Sequence, residues 1–547
     1  METLRRFGNP RICRGVLALA MLVSGALVMY IGRGTTFSGD EMVWIATSQG
    51  FDLSTLLAEH GGHLQAVPRA VYRVMLEVFG LEYWPYRLLT VLASWTAVGL
   101  LYVWLTRRVP ALVALAPCLV LLVFGSDSLH VIQGNGFTIL VSIAAGLGAL
   151  LALERKDRLG DLTAAALLAV GVLTYAVALP FVFAALLLLL LERDRGRLWV
   201  PGPAIVIYAA WWLWTGTSGE GGSNGITPSN VLVVPSWIFQ AVGNSADALT
   251  GLSFDFGTGD SLTFALAPVL AVLVIAATAL AFVRGPRRGL AIVAGVGFAL
   301  WTMQALVAEP GEAGRLPNDG RYLLPGAVAL LLILAEVARR VTWTPTLVAV
   351  VWLVAAAGIG TNLKVLNGQG AAYREQAIAF HDNVGAAAVA IANRPASEPT
   401  DELVETPAGA VLAMANLPWG EFGSSPEELE TRPAGSRVRF DQILIGATGP
   451  TLEPGRGAVA GCRKVNAAGG KVSGELEAGV TTLRAPQSAQ LLLGRFADQP
   501  AQSVGTLPAG RAVTLTLAPD AFDEPWQFAV ASPWVRVCRT QPLPSGP

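Results

Sequence analysis

The sequence predicts an α-helical polytopic membrane protein with about eleven transmembrane helices and a C-terminal extracytoplasmic β-rich domain. Three observations carry this expectation. Apolar runs that span or nearly span a bilayer, about 20 residues each, recur through the first two thirds of the chain. Short arginine-rich loops alternate with longer mixed ones, and beyond Ile359 the apolar runs become short and are broken by Gly, Pro and Asp. Charged residues make up only 14% of the chain and hydrophobic ones 53%, whereas a soluble chain is nearer a quarter charged. No long basic block or zinc-type cluster points to nucleic acid as a partner.

The first run, Gly15–Ile31, follows Arg5, Arg6, Arg11 and Arg14 but lacks a small-residue cleavage site, so it is expected to stay as an anchor. Further runs fall at Leu88–Leu105, Ala111–Phe124, Phe137–Leu153, Leu162–Ala178, Phe181–Leu191 and Pro203–Trp214. The last four are Leu262–Val283, Leu290–Val307, Tyr322–Val337 and Thr346–Ile359. Leu162–Leu191 reads either as two short spans or as one long tilted helix. With the amino terminus in the cytoplasm, the inner loops carry Arg107-Arg108, then Arg155-Lys156 with Arg158, then Arg193, Arg195 and Arg197. The later inner loops carry Arg284 with Arg287-Arg288, then Arg339-Arg340. Each is short and basic, as the positive-inside rule requires. The expected setting is a plasma (inner) membrane.

The outer loops are longer. Gly34–Pro85 contains two stretches of helical apolar spacing, Phe51–Glu59 and Val67–Phe79, suited to lying along the membrane surface. Thr215–Ser261 begins with the Gly- and Ser-rich Thr217–Gly225 and continues into a helix-compatible Pro228–Leu252, which reads as a lid or as a plain surface helix. Domain boundaries are expected at 1–361 for the membrane domain, 362–410 for an amphipathic helix (Tyr373–Ala392) and linker (Asn393–Thr406), and 411–547 for the β-rich domain. Expected strands in the tail include Arg437–Ile445, Ser488–Gly494 and Ala512–Leu517. Cys462 and Cys538 both lie in this tail, where export would permit a bridge, while Cys13 and Cys118 read as isolated thiols.

The residues able to carry chemistry cluster at the outer boundary. Asp40 and Glu41 follow the first span, in Phe37-Ser38-Gly39-Asp40-Glu41. They suit a general base, and equally a helix cap or a mark of the water boundary. Arg321 and Tyr322 open a late span on the same side, in Asn318-Asp319-Gly320-Arg321-Tyr322. A guanidinium offers a fixed fork to phosphate oxygens, and equally snorkels to lipid headgroups. His60 and His63, Arg69, and the trio His130, Gln133 and Asn135 are candidate substrate-binding groups, each with a plain interfacial alternative. Trp419, Trp526 and Trp534 in the tail suit either core packing or stacking on sugar rings.

The Asp-Glu opening of the first outer loop, the many spans and the Arg-Tyr-Leu-Leu-Pro start of a late span together resemble the GT-C superfamily of integral-membrane glycosyltransferases. The similarity lies toward protein O-mannosyltransferases and the aminoarabinose transferases that modify lipid A. It covers roughly Phe37–Ile359 in layout and only those short motifs in residues. It implies a catalytic acidic residue at Asp40, with Glu41 beside it, and a contact from Arg321 to a lipid phosphate. The implied reaction is transfer of a hexosyl or pentosyl unit from a polyprenyl-phosphate donor to an extracytoplasmic glycan, lipid or protein. The His60-Gly-Gly-His63 spacing is not that of a zinc motif, so no cofactor is expected, although some relatives use a divalent metal. A transporter or flippase for a lipid-linked precursor is the alternative, and an exported scaffold a third. Transporters more often place ionisable groups at mid-span, whereas here they sit at the boundary.

Overall fold

The computed structural model describes residues 9–48, 52–218, 228–253, 263–285, 287–308, 316–393, 417–420, 422–423, 428, 431–455, 460–517 and 524–539. The chain forms two compact units, Met1–Arg374 and Glu375–Pro547.

All eleven apolar runs fold as helices. In order they are α1 (Pro10–Ile31), α2 (Asp40–Thr47), α3 (Leu53–Leu57), α4 (Ala66–Phe79), α5 (Trp84–Thr106), α6 (Ala111–Leu121), α7 (Ser128–Ile132) and α8 (Phe137–Leu153). There follow α9 (Arg158–Thr174), α10 (Leu179–Glu192), α11 (Gly202–Ser218), α12 (Val234–Thr250), α13 (Ala267–Val283), α14 (Arg288–Leu306), α15 (Gly320–Ala338) and α16 (Pro345–Asn393). Among the described residues six helices are long and apolar enough to cross a bilayer, or seven if the bent pair α6 and Gly125–Ile132 is one span. The expected eleven spans therefore include several helices shorter than a full crossing, among them Ala267–Val283. The Leu162–Leu191 region is two helices, α9 and α10, separated by the turn Ala176–Ala178. The expected span Thr346–Ile359 and the expected amphipathic helix Tyr373–Ala392 are parts of the single helix α16. The expected linker 393–406 and most of Thr217–Gly225 lie outside the described residues.

Burial explains the packing order. Every residue of α8 is buried except Val141, and its small residues let α5 and α9 approach closely. At one end of this unit the basic loops are tied together. Arg107 pairs with Glu154, Arg108 with Glu154 at 2.9 Å and with Glu336 at 2.6 Å. Arg197 pairs with Asp161 at 2.5 Å, and Arg287 donates to the Glu336 carbonyl at 3.0 Å. The opposite end gathers the loops that follow α1, α3, α6 and α14.

Among the described residues of the second unit, α17 (Ala434–Thr448) precedes nine strands: β1 Thr451–Pro454, β2 Ala460–Asn466, β3 Val472–Leu476, β4 Gly479–Arg484, β5 Ala489–Gly494, β6 Gln502–Leu507, β7 Ala512–Leu517, β8 Trp526–Val530 and β9 Trp534–Arg539. They form antiparallel sheets of order β1-β7-β4-β9-β2 and β3-β8-β5-β6, around a core including Leu483, Leu491, Leu515, Trp526, Phe528 and Val535. The expected strand at Arg437–Ile445 is instead part of α17. Phe440, Asp441, Leu444 and Ile445 are the buried residues, a spacing of one, three and four that belongs to a helix face and not to a pleat. Asp441 holds this helix to the sheet by accepting from the amides of Arg495, Phe496 and Ala497 at 2.9–3.0 Å. A disulfide joins Cys462 on β2 to Cys538 on β9.

Candidate functional site

Helix α2 begins at Asp40 behind Gly39, whose φ of +52° is a conformation that favours glycine. Two adjacent carboxylates in the first turn of a helix must diverge, and these do. Glu41 points inward and is fully buried. Its carboxylate accepts from the Tyr72 hydroxyl, from the Tyr83 hydroxyl at 3.0 Å and from the Ser38 amide at 3.0 Å. A Cβ on Gly134 would stand 2.5 Å from Glu41 Oε1, so only glycine fits opposite it. Burial pushes the Glu41 carboxyl up to about 7, against the hydrogen bonds from Tyr72, Ser38 and Tyr83. Tyr83 lies 2.6 Å from Gln133 Oε1 and accepts from the Gly134 amide at 2.8 Å. A phenol has one proton; when it goes to Gln133, a protonated Glu41 can donate to Tyr83.

Asp40 points the other way. Its side chain is 48% exposed, and Oδ1 accepts from His60 Nε2 at 2.9 Å. Burial would raise its pKa, but the His60 hydrogen bond and the charges of His60, His63 and His130 outweigh that and hold it below the ordinary value. The pairing depends on a tight turn. The His60 amide donates to the His63 carbonyl at 3.2 Å and the His63 amide to the His60 carbonyl at 3.0 Å. Gly61 and Gly62 between them take φ of +57° and +79°, as in a two-residue hairpin turn.

That turn forms one wall of a cavity of about 320 Å³, to which it presents Gly61, Gly62 and His63. Tyr175 and Tyr208 line it further, with the apolar side chains of Ile139, Leu179, Leu300 and Val307. Arg321 and Tyr322 face it from the first turn of α15. Asp319 caps that helix and pairs with Arg321 Nε at 2.9 Å. Its own carboxyl is raised by burial, with Arg321 acting against the rise. Gly320 lies against Ser126 and Asp127, and the buried Asp127 pairs with His130 Nδ1 at 2.7 Å. The charge of His130 reaches both Asp40 and Asp319. Asp40 and Arg321 both lie within electrostatic reach of Tyr175.

Of the residues expected from the sequence, His63, Arg321 and Tyr322 line this cavity, whereas Asp40 pairs with His60 at the base of the turn and His130 pairs with Asp127. Glu41 and Gln133 belong to the buried network behind it. Arg69 is buried against α2, donating to Thr47 Oγ1 at 3.3 Å. Asn135 is buried and its carbonyl accepts from Thr138 at 2.9 Å. Tyr72, Tyr83, Asp127, Tyr175 and Asp319 were not singled out by the sequence. Only Asp127 carried a readable signal, since Asp and His three apart at a helix start face each other. Among the described residues no three His, Cys, Asp or Glu side chains converge as a metal site would require.

No family model matches the chain, and no curated protein sequence matches it. Among solved structures the chain is similar to ArnT from Cupriavidus metallidurans bound to undecaprenyl phosphate, at 14% identity and a TM-score of 0.43, over 73% of this chain and 84% of that one. It is also similar to the oligosaccharyltransferase AglB from Archaeoglobus fulgidus, solved in the apo form and with an inhibitory peptide and a dolichol-phosphate. There the identity is 14% and the TM-score 0.41, over 76% of this chain and 61% of that one. Likenesses at this level assign neither family nor activity.

Proposed function

We propose that the protein is a membrane glycosyltransferase that moves one sugar from a polyprenyl-phosphate donor to an extracytoplasmic acceptor. A single observation supports the reading. One cavity of about 320 Å³ joins Arg321 and Tyr322 to the glycine turn that carries the Asp40–His60 pair, and its remaining wall is largely apolar. Such a site suits a ligand with an anionic head and a hydrocarbon tail. In the transfer, the acceptor hydroxyl oxygen attacks the anomeric carbon while the bond from that carbon to the phosphate oxygen breaks. The hydroxyl proton passes to Asp40, and polyprenyl phosphate leaves against the Arg321 guanidinium. Asp40 is favoured over Glu41 as the base because it is charged and reachable, whereas Glu41 is sealed behind Tyr72 and Tyr83. The acceptor is a cell-wall glycan, a lipid or a protein. No cofactor enters this scheme, and the site faces outward from a plasma (inner) membrane.

The test is transfer of labelled sugar from extracted polyprenyl-phosphate donors in membranes carrying the wild type, Asp40→Asn or Arg321→Ala, with insertion checked for each. Loss of a general base should cost about 10²- to 10⁴-fold, and loss of the phosphate contact about 10²-fold. Transfer that survives in both variants would overturn the assignment. Absence of transfer by the wild type, with labelled precursor changing leaflet in its presence, would make the protein a transporter.

A further inference from the structure

The five-stranded sheet of the second unit turns Leu483, Val513, Leu515, Val535 and Val537 into the core. Because side chains alternate along a strand, the residues between them form an outer face. On that face Lys464 of β2 lies directly across from Arg536 of β9, and Arg536 directly across from Arg484 of β4. Three cations thus stand in one row over three adjacent strands, spaced about 5 Å apart. All three are exposed. Like charges placed directly opposite destabilise a sheet, yet none of the described carboxylates pairs with these. The ion pairs among the described residues of this unit, Arg432–Asp382, Arg437–Asp498 and Arg539–Glu477, lie elsewhere, and no carboxylate among those residues pairs with the row. The Lys464 ammonium sits 5.0 Å from the ring centre of Trp534, which is partly exposed on the same face, two residues along β9 from Arg536 and across from Asn466. The Cys462–Cys538 disulfide joins the edge strand β2 to β9 beside the row and so helps hold its register.

We propose that this face, the Lys464–Arg536–Arg484 row with Trp534 beside it, docks an anionic polysaccharide. A row of cations matches a chain bearing an anion on successive sugars, and an indole face packs on the apolar side of a pyranose ring. A lipid surface fits less well, because among the described residues of this unit no large hydrophobic side chain stands exposed to enter a bilayer. The inference is separate from the transfer reaction, since binding is read without a donor.

The experiment measures binding of the full-length protein in detergent to polygalacturonate, with neutral dextran and phosphatidylglycerol vesicles as the other arms. Wild type should bind polygalacturonate and not dextran, with affinity falling steeply as salt is added. The variant Lys464→Gln/Arg484→Gln/Arg536→Gln should bind at least tenfold more weakly, and Trp534→Ala should lose affinity with the salt dependence kept. Arg511→Gln, an exposed arginine off the row, should match wild type. Equal binding by the triple variant and wild type, or no binding of polygalacturonate by wild type, overturns the proposal. Binding only to vesicles through the same three residues overturns it in favour of a membrane partner.

Discussion

Asp40 and Glu41 differ by one methylene and one position, yet their surroundings give them opposite protonation behaviour. Glu41 loses water and gains two phenols, which cannot compensate a buried charge, so its carboxyl rises to about 7. A raised carboxyl contributes stability that is fully present below its unfolded value and is lost as pH rises through the folded one. With the unfolded value at 4.5 and the folded one at about 7, the loss amounts to about 3 kcal/mol. The melting temperature of the wild type in detergent should therefore fall between about pH 5 and about pH 7.5. Glu41→Gln keeps the shape and removes the titration, so its melting temperature should stay flat over that interval. Parallel curves for the two proteins would show that Glu41 is ionised throughout.

The turn from His60 to His63 is the element that makes a site out of separate loops, and it rests on two glycines with positive φ. A β-branched residue is strained in that region, by about 1–3 kcal/mol. Gly62→Val should lower the melting temperature and slow sugar transfer, because the strain falls on the strut that carries His60 to Asp40. Gly202→Ala is the matched control: a Cβ there meets nothing within 4 Å, so neither quantity should drop. Equal behaviour of the two variants would remove the turn from the mechanism. Elements of this kind were unevenly legible in the sequence. The spacing of Val67–Phe79 predicted α4 because its buried residues, Pro68, Arg69, Tyr72 and Leu76, follow the helical repeat. The alternation in Ala512–Leu517 predicted β7 for the corresponding reason. Arg437–Ile445 misled because a short apolar run fits either period until its neighbours are known. The site was half legible. Asp40 and Arg321 stand out as charges beside apolar runs, but the Asp40–His60 pair needs the turn, and the sealing of Glu41 needs phenols from positions 72 and 83. No local pattern announces contacts of such sequence separation.

At the scale of the molecule, polar chemistry is divided between the two ends of the helical unit. One end holds the paired arginines, Arg107, Arg108, Arg197 and Arg287, with Glu154, Asp161 and Glu336. The other holds Asp40, His60, Asp127, His130 and Arg321. Pairing lowers the cost of holding these charges at the membrane boundary but does not by itself say which end faces the cytoplasm. The excess of arginine in short loops predicts that the arginine end is the cytoplasmic one, through the positive-inside rule. Leu53, on the end bearing Asp40, is 69% exposed, and the Arg155 side chain, on the arginine end, is 56% exposed. Both free cysteines are buried and the other two are bridged, so an added thiol reports alone. Leu53→Cys should react with a membrane-impermeant maleimide in intact cells, and Arg155→Cys only after permeabilisation. The bridge between Cys462 and Cys538 belongs in an oxidising compartment, so it should survive in cells, and its loss there would argue against an exported second unit. The reverse labelling pattern would put Asp40 and Arg321 on the cytoplasmic side, away from any extracytoplasmic acceptor, and the proposed reaction would fall with the orientation.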